Sequence, residues 1–177
     1  MTWKLYINGE LIPGRILKIE KELSGPSHAI ILLPNDPYHR VLVESQPSLT
    51  IKFGPVQVFS GKIMAIQYMH RHLKCTAYPE AQDKLMNSIL DGPDPGGLYD
   101  NVSPTTVFND VCSAAGVTAG SCPSTPNISV RLRKASCWYT VKFLADLLKT
   151  DMYIEDNTVN IGDAGSAKGS ITIIGVS

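Results

Sequence analysis

The stretch VFSGKIMAIQYMHRHLKCTAYPE, Val58–Glu80, decides how the first half of the chain is read. It has no proline before Pro79 and one glycine, Gly61. Its apolar residues do not recur at helical spacing, and together with the preceding Val56 and Gln57 it reads as one long strand ending at Pro79. Strand side chains alternate between faces. On one face fall Ile63, Ala65, Met69, Leu73, Cys75 and Ala77, interrupted by Gln67 and Arg71. On the other fall Met64, Ile66 and Tyr68, followed by the polar run His70, His72, Lys74 and Thr76. A strand apolar on both faces in its middle suits a barrel strand that bends, or one that leaves the barrel to touch another element or subunit. Gly61 is the natural bend point. Met64, Ile66 and Tyr68 are therefore the candidate subunit or interdomain contact, with Ile63, Ala65 and Met69 facing the barrel core.

The residues before this stretch are rich in strand signals. KLYINGELI reads as a hairpin, because Asn8-Gly9 is the dipeptide a type I′ turn favours. RILKIEKEL and HAIILLP read as strands, NDPYHR as a loop, and VLVES and LTIKFG as further strands. Six or seven short strands at turn-bounded spacing imply a small barrel or sandwich.

After residue 90 the character changes. DGPDPGGLYDN, dense in Gly, Pro and Asp, reads as a loop and lacks the order of a calcium-binding loop. SPTTVFNDVCSAAGV is a helix with both ends written in: Ser103 as N-cap, Pro104 at the first position and Gly116 as the left-handed terminator. Its apolar stripe is Val107, Phe108, Val111, Cys112 and Ala115. NISVRL is a strand. SCWYTVKFLADLLKT is a second helix capped by Ser136, with the stripe Trp138, Val141, Leu144, Ala145 and Leu148. DMYIEDNTVNIG is a hairpin turning at Asp156-Asn157. The two helices are expected on one small sheet made of Ile128–Leu132, Met152–Ile154 and Val159–Ile161. GDAGSAKGS is a flexible link, and the final apolar run ITIIGV needs a partner strand.

Composition excludes some function classes. The 177 residues carry sixteen basic and sixteen acidic side chains, so the formal charge cancels. A protein that neutralises many phosphates by itself is usually basic. No apolar run reaches the roughly 18 residues of a membrane span. The N-terminus lacks the layout of a signal peptide and reads as folded structure made in a cytoplasm. The cysteines, Cys75, Cys112, Cys122 and Cys137, form no C-x-x-C pair and read as core thiols; a Cys112–Cys122 disulfide is the alternative and would need an oxidising compartment.

Catalytic signals are sparse. His70 and His72 point the same way and could start a metal site, but no third ligand is nearby, and an alternating polar face explains them equally. The glycine-rich tail has Lys168 before Gly169 and leads into a strand, which does not fit a P-loop. A Cys–His pair such as Cys112 with His28 or His39 is open to any fold, but Cys112 sits on an apolar stripe. No cofactor, metal site or enzyme activity is expected.

Three segments carry a family resemblance. VFSGKIMAIQYMHRHLKCTAYPEAQDKL, SPTTVFNDVCSAAGV and SCWYTVKFLADLLKTDMYIEDNTVNIG, in that order, resemble the hub proteins of contractile-tail machines: phage baseplate hub and late-control tail proteins, and the hub half of the type VI secretion spike. The resemblance implies a mainly β fold with an α+β insertion: a discontinuous tail-tube-like β-barrel from residues 1–90 and 168–177, and a small two-helix α/β subdomain over residues 100–163. It implies a structural hub that adapts the tail tube to the central spike, in the virion's tail baseplate after assembly in the host cytoplasm. The partners it implies are copies of the chain in a ring (trimer or hexamer), tail tube and central spike proteins, and translocated DNA only in passing. Family members often carry two barrels per chain, whereas this sequence has room for one. The low charge and two-faced long strand independently suit an assembly protein. The competing classes are a monomeric β-rich domain binding carbohydrate or protein, and a Cys or Ser hydrolase.

Overall fold

The computed structural model describes residues 2–21, 24–93, 97–155, 157–163 and 171–176. The expected flexible link falls mostly on residues 164–170, outside the described residues, as does Asp156 of the expected hairpin turn. The fold is mainly β with four helices. It divides into two compact units, the first made of residues up to 80, apart from Ser24 and Gly25, with the C-terminal strand, the second of Ser24, Gly25 and the residues from Ala81 on.

Unit 1 contains β1 (Trp3–Ile7), β2 (Glu10–Leu11), β3 (Arg15–Lys21), β4 (His28–Pro34), α1 (Pro37–Glu44), β5 (Ser48–Phe53), β6 (Val56–Tyr68) and β7 (His72–Tyr78). With the C-terminal strand Ile171–Val176 these strands form one antiparallel eight-stranded sheet. Its order is C-terminal strand, β3, β4, β7, β6, β5, β1, β2. Asn8 and Gly9, both at positive φ, make the tight turn between β1 and β2.

The long strand is in fact a hairpin. β6 ends at Tyr68, β7 starts at His72, and Tyr68 pairs with Leu73. The turn carries no Gly, Pro or Asn, and its carbonyls are satisfied from elsewhere. The Asn35 N–H donates to Arg71 O at 3.1 Å, and the Asn35 side-chain amide donates to Met69 O. A second correction concerns PYHRVLVE, expected as a loop and a strand, which is helix α1. Asp36 is its N-cap, its carboxylate accepting from the His39 N–H at 2.9 Å, and Pro37 occupies the first turn. His39 and Val43, one turn apart, are buried, while Val41 faces out.

Three bulges set which residues face inward, at Leu17 in β3 and at Val58 and Met64 in β6. Each inserts one unpaired residue and switches the side-chain parity. Ile16 and Ile19 are therefore both buried although three apart. One core cluster holds Leu5, Ile7, Ile16, Ile31, Leu33, Val43, Ile51, Ile63 and Leu73 among others. β1 and β4 are four steps apart in the sheet, about 19 Å if it were flat at the ~4.8 Å strand spacing. Yet a Cβ added to Gly14 would lie 2.7 Å from Leu5 Cδ2 and 2.9 Å from Leu33 Cδ2. The sheet is therefore rolled around its core. No ladder among the described residues joins its two ends.

Unit 2 contains α2 (Glu80–Asn87, whose first residue falls in unit 1), β8 (Ile89–Leu90), β9 (Leu98–Val102), α3 (Pro104–Ala115), β10 (Thr118–Ala119), β11 (Ile128–Arg131), β12 (Ala135–Ser136), α4 (Cys137–Leu147), β13 (Asp151–Glu155) and β14 (Thr158–Gly162). The C-terminal strand is β15. α3 is capped as its sequence dictates: Ser103 Oγ accepts from the Thr106 N–H at 3.2 Å, and Gly116 adopts φ 65°. The expected single sheet is three small ones, β10-β14-β13, β11-β9 and β12-β8. β9 also takes up the second half of the expected loop, burying Tyr99, whose hydroxyl donates to Asp110 Oδ2 at 3.0 Å. All three sheets and both long helices share one core that includes Phe108, Val111, Trp138, Leu144 and Met152.

Two substitutions test this packing. Leu144 is fully buried, so Leu144→Ala should lower unfolding free energy by about 2–5 kcal/mol in denaturant melts. Gly61 is needed for a close approach and not for a turn: an added Cβ would sit 2.2 Å from Tyr78 O. Gly61→Ala forces β6 and β7 apart and should cost about 1–3 kcal/mol, as other overpacking changes do. A melt unchanged from wild type would show that the two strands part there without cost.

Candidate assembly surface

The outward face of α1 and its neighbours form an exposed apolar surface on unit 1. Val41 is 71% exposed, and the exposed rings of Tyr38 and Tyr68 are held at the two ends of the helix. Hydrogen bonds fix the arrangement. The Tyr38 hydroxyl donates to Glu10 Oε2 at 3.3 Å, tying the start of α1 to β2. The Tyr68 hydroxyl donates to Glu44 Oε1 at 3.3 Å, tying its end to β6. Partial burial, reinforced by the adjacent carboxylate, raises both phenol pKa values, so these groups stay neutral donors. Arg40 Nε donates to Asn35 Oδ1 at 2.6 Å, the same Asn35 that holds the β6–β7 turn. The Asp36 carboxyl is held below its usual range by the backbone N–H of His39 and then by its ring, with Oδ2 and Nδ1 2.8 Å apart.

The structure separates the three residues expected to form one contact face. Met64 is the half-buried bulge residue. Beyond it the parity has switched, so Ile66 pairs with Cys75 and packs against the core. Tyr68 is 53% exposed and belongs to the α1 surface. The same switch corrects the opposite face: Ile63 is in the core, whereas Ala65 and Met69 are exposed. The α1 face itself was missed by sequence reasoning, because PYHRVLVE had not been read as a helix. The Asp-Pro pair before an i, i+4 apolar spacing was the available signal.

The residues weighed for chemistry do not converge. His70 and His72 are exposed at the β6–β7 turn, and no group of three His, Cys, Asp or Glu side chains among the described residues is placed to hold a metal. All four cysteines are free. Burial pushes the Cys75 thiol up to about 11, and burial together with Cys137 and Cys122 pushes Cys112 up to about 12, the reverse of an activated nucleophile. No described helix is long and apolar enough to cross a membrane.

The rolled sheet followed by a three-helix unit has close counterparts among solved structures. The 43 kDa tail protein of prophage MuSo2 from Shewanella oneidensis superposes with TM-score 0.66 at 15% identity, over 94% of this chain and 56% of that one. A tail protein from Neisseria meningitidis MC58 gives TM-score 0.69 at 12% identity, over 96% of this chain and 53% of that one. This chain shares the fold of the phage tail proteins. The fold extends to the E. coli c3393 protein, a type VI secretion system component described as structurally similar to the T4 bacteriophage tail proteins gp27 and gp5. There the TM-score is 0.63 at 14% identity, over 94% of this chain and 51% of that one. The chain thus spans about half the length of these solved structures. No protein-family model and no curated protein matches the sequence.

Within this tail-protein fold, Ala65 and Ile66 are neighbours on opposite faces of β6 and should respond oppositely. Ile66→Asp places a charge against the core and should lower the melting temperature of the isolated chain by several degrees or abolish folding. Ala65→Asp changes an exposed side chain and should leave the melt within about 0.5 kcal/mol of wild type. Equal losses in both variants would contradict the parity switch at Met64.

Proposed function

We propose that the chain is a structural component of a phage tail baseplate or related contractile injection machine, working as a ring-forming hub between the tail tube and the central spike. The observation that carries this is the match of the whole architecture, rolled sheet plus helical unit, to tail proteins over more than nine-tenths of the chain. In this reading the rolled sheet is a tail-tube-like barrel, the second unit is an insertion within it, and copies of the chain surround a channel. A ring gives the α1 surface a natural occupant, because an exposed apolar patch on a stable assembly protein is covered by a neighbour. Tyr68 is the member of the candidate trio that serves as a subunit contact; Met64 and Ile66 support it from within β6. The balanced net charge suits a channel wall along which DNA or another polyanion slides without being held. The role is mechanical and not catalytic, in keeping with the raised thiol pKa values and dispersed histidines.

The test is the solution mass and shape of the purified full chain. The expected result is a closed ring, a trimer or hexamer by light scattering and negative-stain images, with each contact burying well over ~1,000 Å². A monodisperse monomer up to high concentration would favour the alternative, a β-rich module that binds a carbohydrate or protein ligand.

A further inference from the structure

A second exposed apolar surface lies on unit 2. Along α4, Tyr139, Phe143 and Leu147 recur at i, i+4 and i+8, and Tyr139 is 71% exposed. Ile89, also exposed, pairs with Ser136 at the start of this helix. The opposite side of α4 carries Trp138, Val141, Leu144 and Ala145 into the core. A helix apolar on both sides is covered on both sides in the assembled molecule. The outward stripe is therefore an unfilled contact of the same class as the α1 surface.

Ring symmetry restricts how such surfaces combine. A closed ring is built from heterologous contacts, in which one patch of a subunit meets a different patch of the next. The chain offers two such patches, one on each unit. Their charged flanks are complementary. On unit 1, the Glu10 and Glu44 carboxylates are held at the two ends of α1 by Tyr38 and Tyr68, with Val41 between them. The helix residues tied to them, Tyr38 and Glu44, are six positions apart, a rise of about 9 Å. On unit 2, Lys142 stands on α4 beside Phe143, and Lys149 follows the end of the helix at Leu147, with φ 54°. Arg40 is turned onto Asn35, and Asp146 lies on the α4 face between the lysines. Pairing α1 with α1 would instead set Glu10 and Glu44 against their own copies.

We infer that the subunit contact is head to tail, the Tyr139–Phe143–Leu147 stripe of one copy seating on the α1 surface of the next, with Lys142 and Lys149 toward Glu10 and Glu44. The inference rests on the ring reading and specifies the surfaces that make the ring.

Two single variants of the full chain test it. Val41→Arg puts a cation on the α1 surface, where it faces the lysines of α4. Tyr139→Asp puts an anion on the stripe, where it faces the glutamates. Each variant alone should run as a monomer by light scattering. A 1:1 mixture should regain association, as a species of two chains or more, because it contains one intact pair of surfaces and opposes the new cation to the new anion in the other. A variant that dimerises by itself would overturn the proposal in favour of a contact of its untouched surface with its own copy. Two variants that assemble like wild type would overturn it while leaving the ring reading standing. A wild-type chain that stays monomeric would sink the ring reading and the proposal together. Thermal melts check folding, and Val41→Lys and Leu147→Glu, also at exposed positions, replace any variant that loses its cooperative transition.

Discussion

The rolling of one sheet around one core is the constraint on which unit 1 depends. A flat antiparallel sheet of this width would leave most of one apolar face in water. Inward residues from β1 and β4, four strands apart, instead converge on Gly14, where no side chain would fit. Bulges drive this curvature, since each adds a residue to one strand and increases the local twist. β6 carries two of them and β3 one, so the thirteen-residue β6 coils along the core with its parity changing as it goes. At Gly61 it passes so close to Tyr78 that the Tyr78 carbonyl fills the space a side chain would need.

The same rolling explains the position of α1. Connecting β4 to β5 across the rolled sheet, it contributes Val43 to the shared core and leaves its other side exposed. The polar groups around it act as struts, with Asp36 capping its start, Asn35 holding the neighbouring turn and two tyrosines anchoring its ends. The apolar exposure of α1 is thus presented on a fixed framework, and little side-chain freedom around it remains to be lost on association. Unit 2 repeats the pattern by different means. Three minimal sheets and three helices close a separate core, and α4 faces both that core and solvent with apolar side chains. A surface of this kind suits a part whose final environment is an assembly.

The sequence by itself determined the features whose chemistry is local. Asn8-Gly9 wrote the first turn. Ser103, Pro104 and Gly116 wrote both ends of α3, because capping depends on residues within one helical turn. The stripes of α3 and α4 marked their buried faces, since helical periodicity is read from a few neighbouring positions, and the order of segments carried the likeness to tail proteins. Within α1 a local signal was present, Asp36-Pro37, but the run Val41-Leu42-Val43 outweighed it as a strand.

Only the tertiary structure decided the rest. The β6–β7 turn is His70 and Arg71, residues with no turn preference, and it exists because Asn35, 34 positions before Met69, satisfies its carbonyls. The face of Ile66 depends on a bulge at Met64, and a bulge is a property of two paired strands that neither strand's own alternation reveals. The small sheets of unit 2 depend on pairings between segments dozens of residues apart, such as Ile89 with Ser136. Local chemistry names the elements and their ends; register, curvature and the faces left open for a neighbour arise from contacts distant in sequence, where the core fixes which pairing wins.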